Sequence, residues 1–126
     1  MEIGSACAVQ PGPGPRLSGA TSFYARTVID RDGNVLGSIS DLMLDVERGR
    51  VAYAVIATGG FVGLGEQLFA VPWGALRPVG QQFMLDCQSA ALETALAFDR
   101  DHWPLTPAHG WHERVHAYYH SRPYWE

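Results

Sequence analysis

The chain contains no lysine: its nine basic residues are all arginines, scattered singly, and they face thirteen acids for a net charge of −4. A partner with a phosphate backbone selects a stripe of Lys and Arg, so this composition argues against a nucleic-acid footprint. Long apolar runs are missing too, and none approaches the roughly 20 residues that a membrane helix needs. Cysteine is scarce, with Cys7 in a Gly/Pro-rich leader and Cys87 at the end of a strand-like run. Such different contexts do not predict a structural disulfide, and both thiols are expected to be reduced in a cytoplasmic protein. The start, Met1 to Val9, has no basic n-region and does not resemble a secretory signal. What is present is 126 residues that are 47% apolar and 17% charged, enough for one globular domain around one core.

The chain is organised around Gly59-Gly60-Phe61-Val62-Gly63-Leu64-Gly65, four glycines in seven residues between two apolar strand candidates. Gly59, Gly60, Gly63 and Gly65 predict a shaped structural loop, because glycine permits positive φ and close backbone approach. Upstream, the run Pro11-Gly12-Pro13-Gly14-Pro15 holds neither helix nor ladder, which makes residues 1–21 a flexible leader. Phe23 to Ile29 reads as the first strand, Asp32-Gly33 as the centre of a hairpin turn, and Gly37 in the returning strand as a bulge or bend. Leu42, Leu44 and Val46 alternate with mostly polar neighbours, the mark of a half-buried strand. Val51 to Ala57 has no polar face and reads as a central strand covered on both sides. Pro72-Trp73-Gly74 starts a single helical turn, and Gln82 to Cys87 reads as the last strand. About five to six short strands joined by tight turns predict a mainly β fold, a small antiparallel β-barrel over 22–88. Residues 89–126 follow as a short-helical, aromatic-rich extension, opening with a helix over Ser89 to Ala97.

Asp32-Gly33, Val35-Leu36-Gly37, Asp41, Asp45, Gly49-Arg50-Val51-Ala52-Tyr53, Gly59-Gly60-Phe61 and Ala70-Val71-Pro72-Trp73 together resemble a PRC-barrel domain. The resemblance covers roughly Phe23 to Cys87 and implies a compact β-barrel of the kind found in the H subunit of photosynthetic reaction centres and in a ribosome maturation factor. Both of those are assembly roles. The sequence is similar to neither outside the barrel, lacking the membrane helix of the first and the additional N-terminal domain of the second, so the resemblance implies a stand-alone bacterial member. It implies no shared catalytic residue and no cofactor.

Chemistry is sparse. His112-Glu113-Arg114-Val115-His116 matches H-E-x-x-H, in which two histidines one turn apart bind zinc and the glutamate activates water, and His120 would extend a row of imidazoles along one face. Against this, Trp111, Val115, Tyr118 and Tyr119 fall at i, i+4, i+7 and i+8, which makes the buried face aromatic and leaves the histidines solvated to one side. Asp41 and Asp45 read as turn-capping or ion-pairing residues rather than an acid–base pair. The glycine loop is not a dinucleotide fingerprint, since no βαβ context surrounds it. The apolar excess of the barrel and tail predicts an isologous homodimer and a further protein partner. Tyr53, Val55, Phe61, Leu64, Trp111, Tyr118, Tyr119, Tyr124 and Trp125 are the interface candidates. The leading expectation is therefore a non-enzymatic protein–protein interaction or assembly module. A small-ligand or metal-binding sensor using the C-terminal histidines comes second, and a zinc hydrolase third.

Overall fold

A computed structural model describes residues 11–58, 67–86, 97–98 and 103–126. The glycine loop with Phe61 and Leu64, both cysteines and residues 89–96 of the expected helix lie outside the described residues. The strands are β1 (Thr27–Ile29), β2 (Val35–Asp45), β3 (Arg50–Thr58), β4 (Gln67–Pro72), β5 (Leu76–Val79), β6 (Gln82–Leu85) and β7 (Ala97–Phe98), and the one described α-helix is α1 (His109–Tyr118). The fold is mainly β, in one sheet of order β5-β6-β1-β2-β3-β4-β7. Among the described residues no helix is long and apolar enough to cross a membrane.

Turn chemistry fixes the hairpins. Asp30, buried at 1% exposure, accepts the backbone N–H groups of Asp32 (2.9 Å) and Asn34 (2.8 Å) on one carboxylate oxygen, while Gly33 supplies the positive φ of +87° that the β1–β2 turn needs. The pairing of Val28 with Gly37 and of Ile29 with Val35 leaves Leu36 as the extra residue of a bulge. At Gly37 a Cβ would lie 2.2 Å from the Ala57 carbonyl oxygen of β3. Only glycine therefore lets β2 run between β1 and β3. Two further register shifts against β3, at Ile39/Asp41 and Met43/Leu44, bend this long strand around the core.

Four expectations need correction. The first strand begins at Thr27, not Phe23: Ala20–Phe23 is a 3₁₀ turn, and Ala25 at φ +66° breaks the extended run. Among the described residues the sheet has seven strands. The unforeseen β5 contains Pro78, which an edge strand tolerates because it offers no ladder donor. Ala97, expected in a helix, pairs with Phe69 as part of β7. Finally, the ladder is not wholly antiparallel, since β6 runs parallel to β1, pairing Phe83 with Val28.

Both faces of β3 are covered, as its unbroken apolar run predicts, and Ala52 to Ile56 are all buried. Ile56 faces an inner cluster with Val28, Leu36, Ile39, Phe69, Val71, Phe83 and Leu85. Tyr53 belongs to an outer cluster with Ala70 and Val115, flanked by Met43, Phe98, Trp111, Tyr119 and Tyr124. The outer cover is thus the chain's own C-terminal segment.

Candidate functional site

Tyr53 is the hub of that outer layer. A tyrosine in the middle of a buried strand needs a partner for its hydroxyl, and the Tyr53 hydroxyl is hydrogen-bonded to His112 Nδ1. The His112 ring is stacked on Tyr53, with centroids 5.6 Å apart at 16°. Trp111, His116 and Tyr124 surround the same phenol at 5.4, 5.4 and 6.1 Å. Burial first, and then Tyr124, push the Tyr53 hydroxyl above the ordinary tyrosine range. Burial, followed by the neighbouring His116 and His109, pulls His112 below the ordinary histidine value. Tyr53 therefore stays protonated and donates, and neutral His112 carries its proton on Nε2.

His116 is 1% exposed. Its Nδ1–H donates to the His112 carbonyl (2.8 Å), and its Nε2 has no hydrogen-bond partner among the described residues. Trp125 lies 5.0 Å from the His116 ring and 5.9 Å from the His112 ring. The expectation of solvated histidines fails here: Trp111, Val115 and Tyr119 do face the outer cluster, but the covered side of α1 is wider than that aromatic stripe and takes in His112, half-buried, and His116, buried. His120 is exposed at φ +52° beyond the helix end, so the third imidazole does not join a row. Glu113 pairs with His109 at 2.9 Å on the outside, both side chains more than 60% exposed. The H-E-x-x-H residues thus do separate work: His112 satisfies Tyr53, His116 fills space among aromatic rings, and the glutamate sits on the surface.

Tyr124 ties the tail to the β2–β3 hairpin. Its hydroxyl donates to Asp45 Oδ2 (2.7 Å), and its carbonyl accepts from Arg50 Nη1. Asp45 also accepts the Arg48 backbone N–H (3.0 Å) and pairs with the Arg48 guanidinium (3.0 Å), the turn-capping and ion-pairing role expected of it. The bond from Tyr124, then the Arg48 amide, hold the Asp45 carboxyl down at about 2. Asp41 accepts the N–H of Leu42 at 2.8 Å. Above this anchor opens a cleft of about 310 Å³ between the β2–β3 turn and residues 104–107. Tyr53, His112, Tyr124, Met43 and Ala52 line it, and Leu44, Val46 and Leu105 stand around it at 59%, 85% and 74% exposure.

Of the interface candidates, Tyr53 and Val55 are 3% and 0% exposed. α1 packs on Tyr53 through Trp111, His112 and His116, and neither the Tyr53 nor the Val55 side chain is left open to a second copy. Trp111, Tyr118, Tyr119, Tyr124 and Trp125 are half-buried, and Trp111, Tyr119 and Tyr124 pack in cis against the outer cluster. Sequence reasoning missed Asp45 and Arg50 as tail anchors, because nothing local links them to a tyrosine more than seventy residues away. The one available signal was Tyr53 itself, the single polar-tipped side chain in the apolar run Val51 to Ala57.

Residues 16–88 match the PRC-barrel domain family. The chain belongs to that family. Among solved structures, one similar to it is a Pseudomonas aeruginosa protein assigned to 16S ribosomal RNA processing, RimM, at 16% identity and a TM-score of 0.38. That alignment covers 58% of this chain and 45% of the other, so it spans less than half of the RimM protein. No curated protein matches the chain in sequence. The PRC-barrel match supplies Tyr53, Asp45 and Arg48, whereas His112, His116 and Tyr124 come from residues beyond it. The cluster is therefore built where a family barrel meets this chain's own extension.

Proposed function

We propose that this PRC-barrel protein is a non-catalytic interaction module that holds an apolar segment of a protein partner in the cleft beside the β2–β3 turn. One observation carries the reading: Leu44, Val46 and Leu105, all strongly exposed, converge on a single cleft. Exposed apolar side chains scattered singly are ordinary, but three gathered around a concavity are how a binding surface is built. The lining offers orientation as well, since Asp45, Glu47, Arg48, His112 and Tyr124 put polar and charged atoms beside those apolar side chains. The geometry favours this over the metal-sensor and zinc-hydrolase readings. His112 Nδ1 is engaged by Tyr53, His116 is enclosed by rings, and Glu113 faces away. Self-association through Tyr53 and Val55 is not part of the proposal, because both are buried within the chain.

The test is affinity capture from the native host with the wild-type chain and with Val46→Asp combined with Leu105→Asp. Both positions are exposed, so the melting temperature of the double variant should stay within about 2 °C of wild type. A partner enriched by wild type and lost by the variant supports the cleft. Equal recovery by both proteins would refute it.

A further inference from the structure

A second cavity, of about 460 Å³, shares no residue with the cleft and has a different chemistry. Three of its walls are aromatic. Phe23 meets Trp73 at 5.7 Å and 65°, Phe23 meets Phe83 at 5.5 Å and 69°, and Trp73 meets Phe83 at 5.8 Å and 51°. Rings at such angles form a corner rather than a closed stack, a shape that can take a further flat ring by face and edge. Phe83 is buried, while Phe23 and Trp73 are only partly so, so the corner is anchored in the core and open on one side. Its base is rigid, because all three rings pack with the inner cluster.

The charged residues lining this cavity are of one sign. Arg16 and Arg26 both line it and no acid does, although the chain as a whole carries −4. Among the described residues neither arginine pairs with a carboxylate. Arg26 is held in place by its Nε–H, which donates to the Ser22 carbonyl at 2.8 Å, and by its guanidinium carbon lying 5.1 Å from the Phe23 ring centre. That leaves its terminal N–H groups for another acceptor. A guanidinium fixed against an aromatic wall recognises an oxyanion better than a freely hydrated one, because less rotamer freedom is lost and the surroundings screen less. The volume lies within the range of small-molecule sites.

We propose that this cavity binds a small molecule in which a flat aromatic ring carries a carboxylate. The ring seats in the Phe23–Trp73–Phe83 corner and the carboxylate meets Arg26 and Arg16. The site is independent of the partner cleft and does not rest on it.

The experiment titrates the full chain with 2-naphthoate and follows the Trp73 indole N–H resonance, assigned with Trp73→Phe, alongside calorimetry. The expected result is a saturable shift at Trp73, with binding at least tenfold tighter than for neutral 2-naphthalenemethanol and weakening as salt rises. Arg16→Gln with Arg26→Gln should lower the naphthoate affinity at least tenfold without changing that for the alcohol. The exposed Val46→Asp with Leu105→Asp variant should bind naphthoate as wild type does. No shift at Trp73, equal affinity for acid and alcohol, or unchanged naphthoate affinity in the double arginine variant would each overturn the proposal.

Discussion

Replacing Val115 by alanine tests whether α1 is part of the fold or an arm resting on it. Val115 is 1% exposed and packs with Ala52, Tyr53 and Ala70. The substitution removes two methyl groups, worth together about 1.6 kcal/mol on transfer from water. It also leaves about 50 Å³ which, if the surroundings do not close in, costs about 1.2 kcal/mol more. Alanine is the better helix former, which offsets about 0.5 kcal/mol of the loss. The net destabilisation is then about 1 to 2.5 kcal/mol, the lower figure applying if the site collapses fully. For a chain of this size that lowers the melting temperature by about 4 to 10 °C. Glu113→Ala, on the exposed side of the same helix, is the control and should stay within about 0.5 kcal/mol of wild type. Urea unfolding followed by tryptophan fluorescence measures both, with the slope unchanged. If Val115→Ala unfolds at the same urea concentration as Glu113→Ala, α1 does not bury its inner face on β3 and β4, and the assignment of Tyr53 as a hub falls with it.

Tyr124→Phe removes the largest cause of the low Asp45 value, so that carboxyl should titrate nearer its ordinary 3.8 than about 2 when followed by carboxyl carbon NMR. Because the folded value is the depressed one, Asp45 contributes stability that is present above 3.8 and lost as pH falls through about 2. Wild type and variant should therefore differ at neutral pH and converge in acid; an unmoved Asp45 titration would break the argument. Gly37→Ala places a methyl 2.2 Å from the Ala57 carbonyl oxygen, a backbone atom that cannot swing aside, and should cost about 1 to 3 kcal/mol in the same urea assay. A neutral result there would mean that β2 and β3 can part without loss.

Most of the barrel was legible in the sequence because its signals are local. Asp32-Gly33 marks a turn, Gly37 marks a bulge, and the apolar run Val51 to Ala57 marks a strand with two covered faces. Each follows from what one or two residues permit the backbone to do. β5 was missed because Pro78 lowers its strand signal, and the parallel β1–β6 pair because register between distant strands leaves no trace in either one. The extension divided in the same way. Its aromatic density implies docking, since such side chains bury too much area to remain solvated, and Trp111, Tyr119 and Tyr124 pack against the outer cluster. Which face docks was misread at His116.

That misreading has a physical cause. Periodicity assigns residues to a buried face by hydropathy, and histidine counts there as polar. An imidazole has only two polar atoms, and in a helix one of them can be satisfied by the carbonyl four residues back, as His116 Nδ1 is by His112. What remains is largely a flat ring, and Tyr53, Tyr124 and Trp125 surround it with rings of their own. The i, i+4 spacing of His112 and His116 therefore has a structural use. One imidazole answers the buried Tyr53 hydroxyl, and the other packs beside it one turn along. Glutamate between them then needs no catalytic reason, because its position points to solvent, where it pairs with His109. The spacing that suggests a metal centre is, on this barrel, what allows an aromatic helix to close over a strand whose centre is a tyrosine.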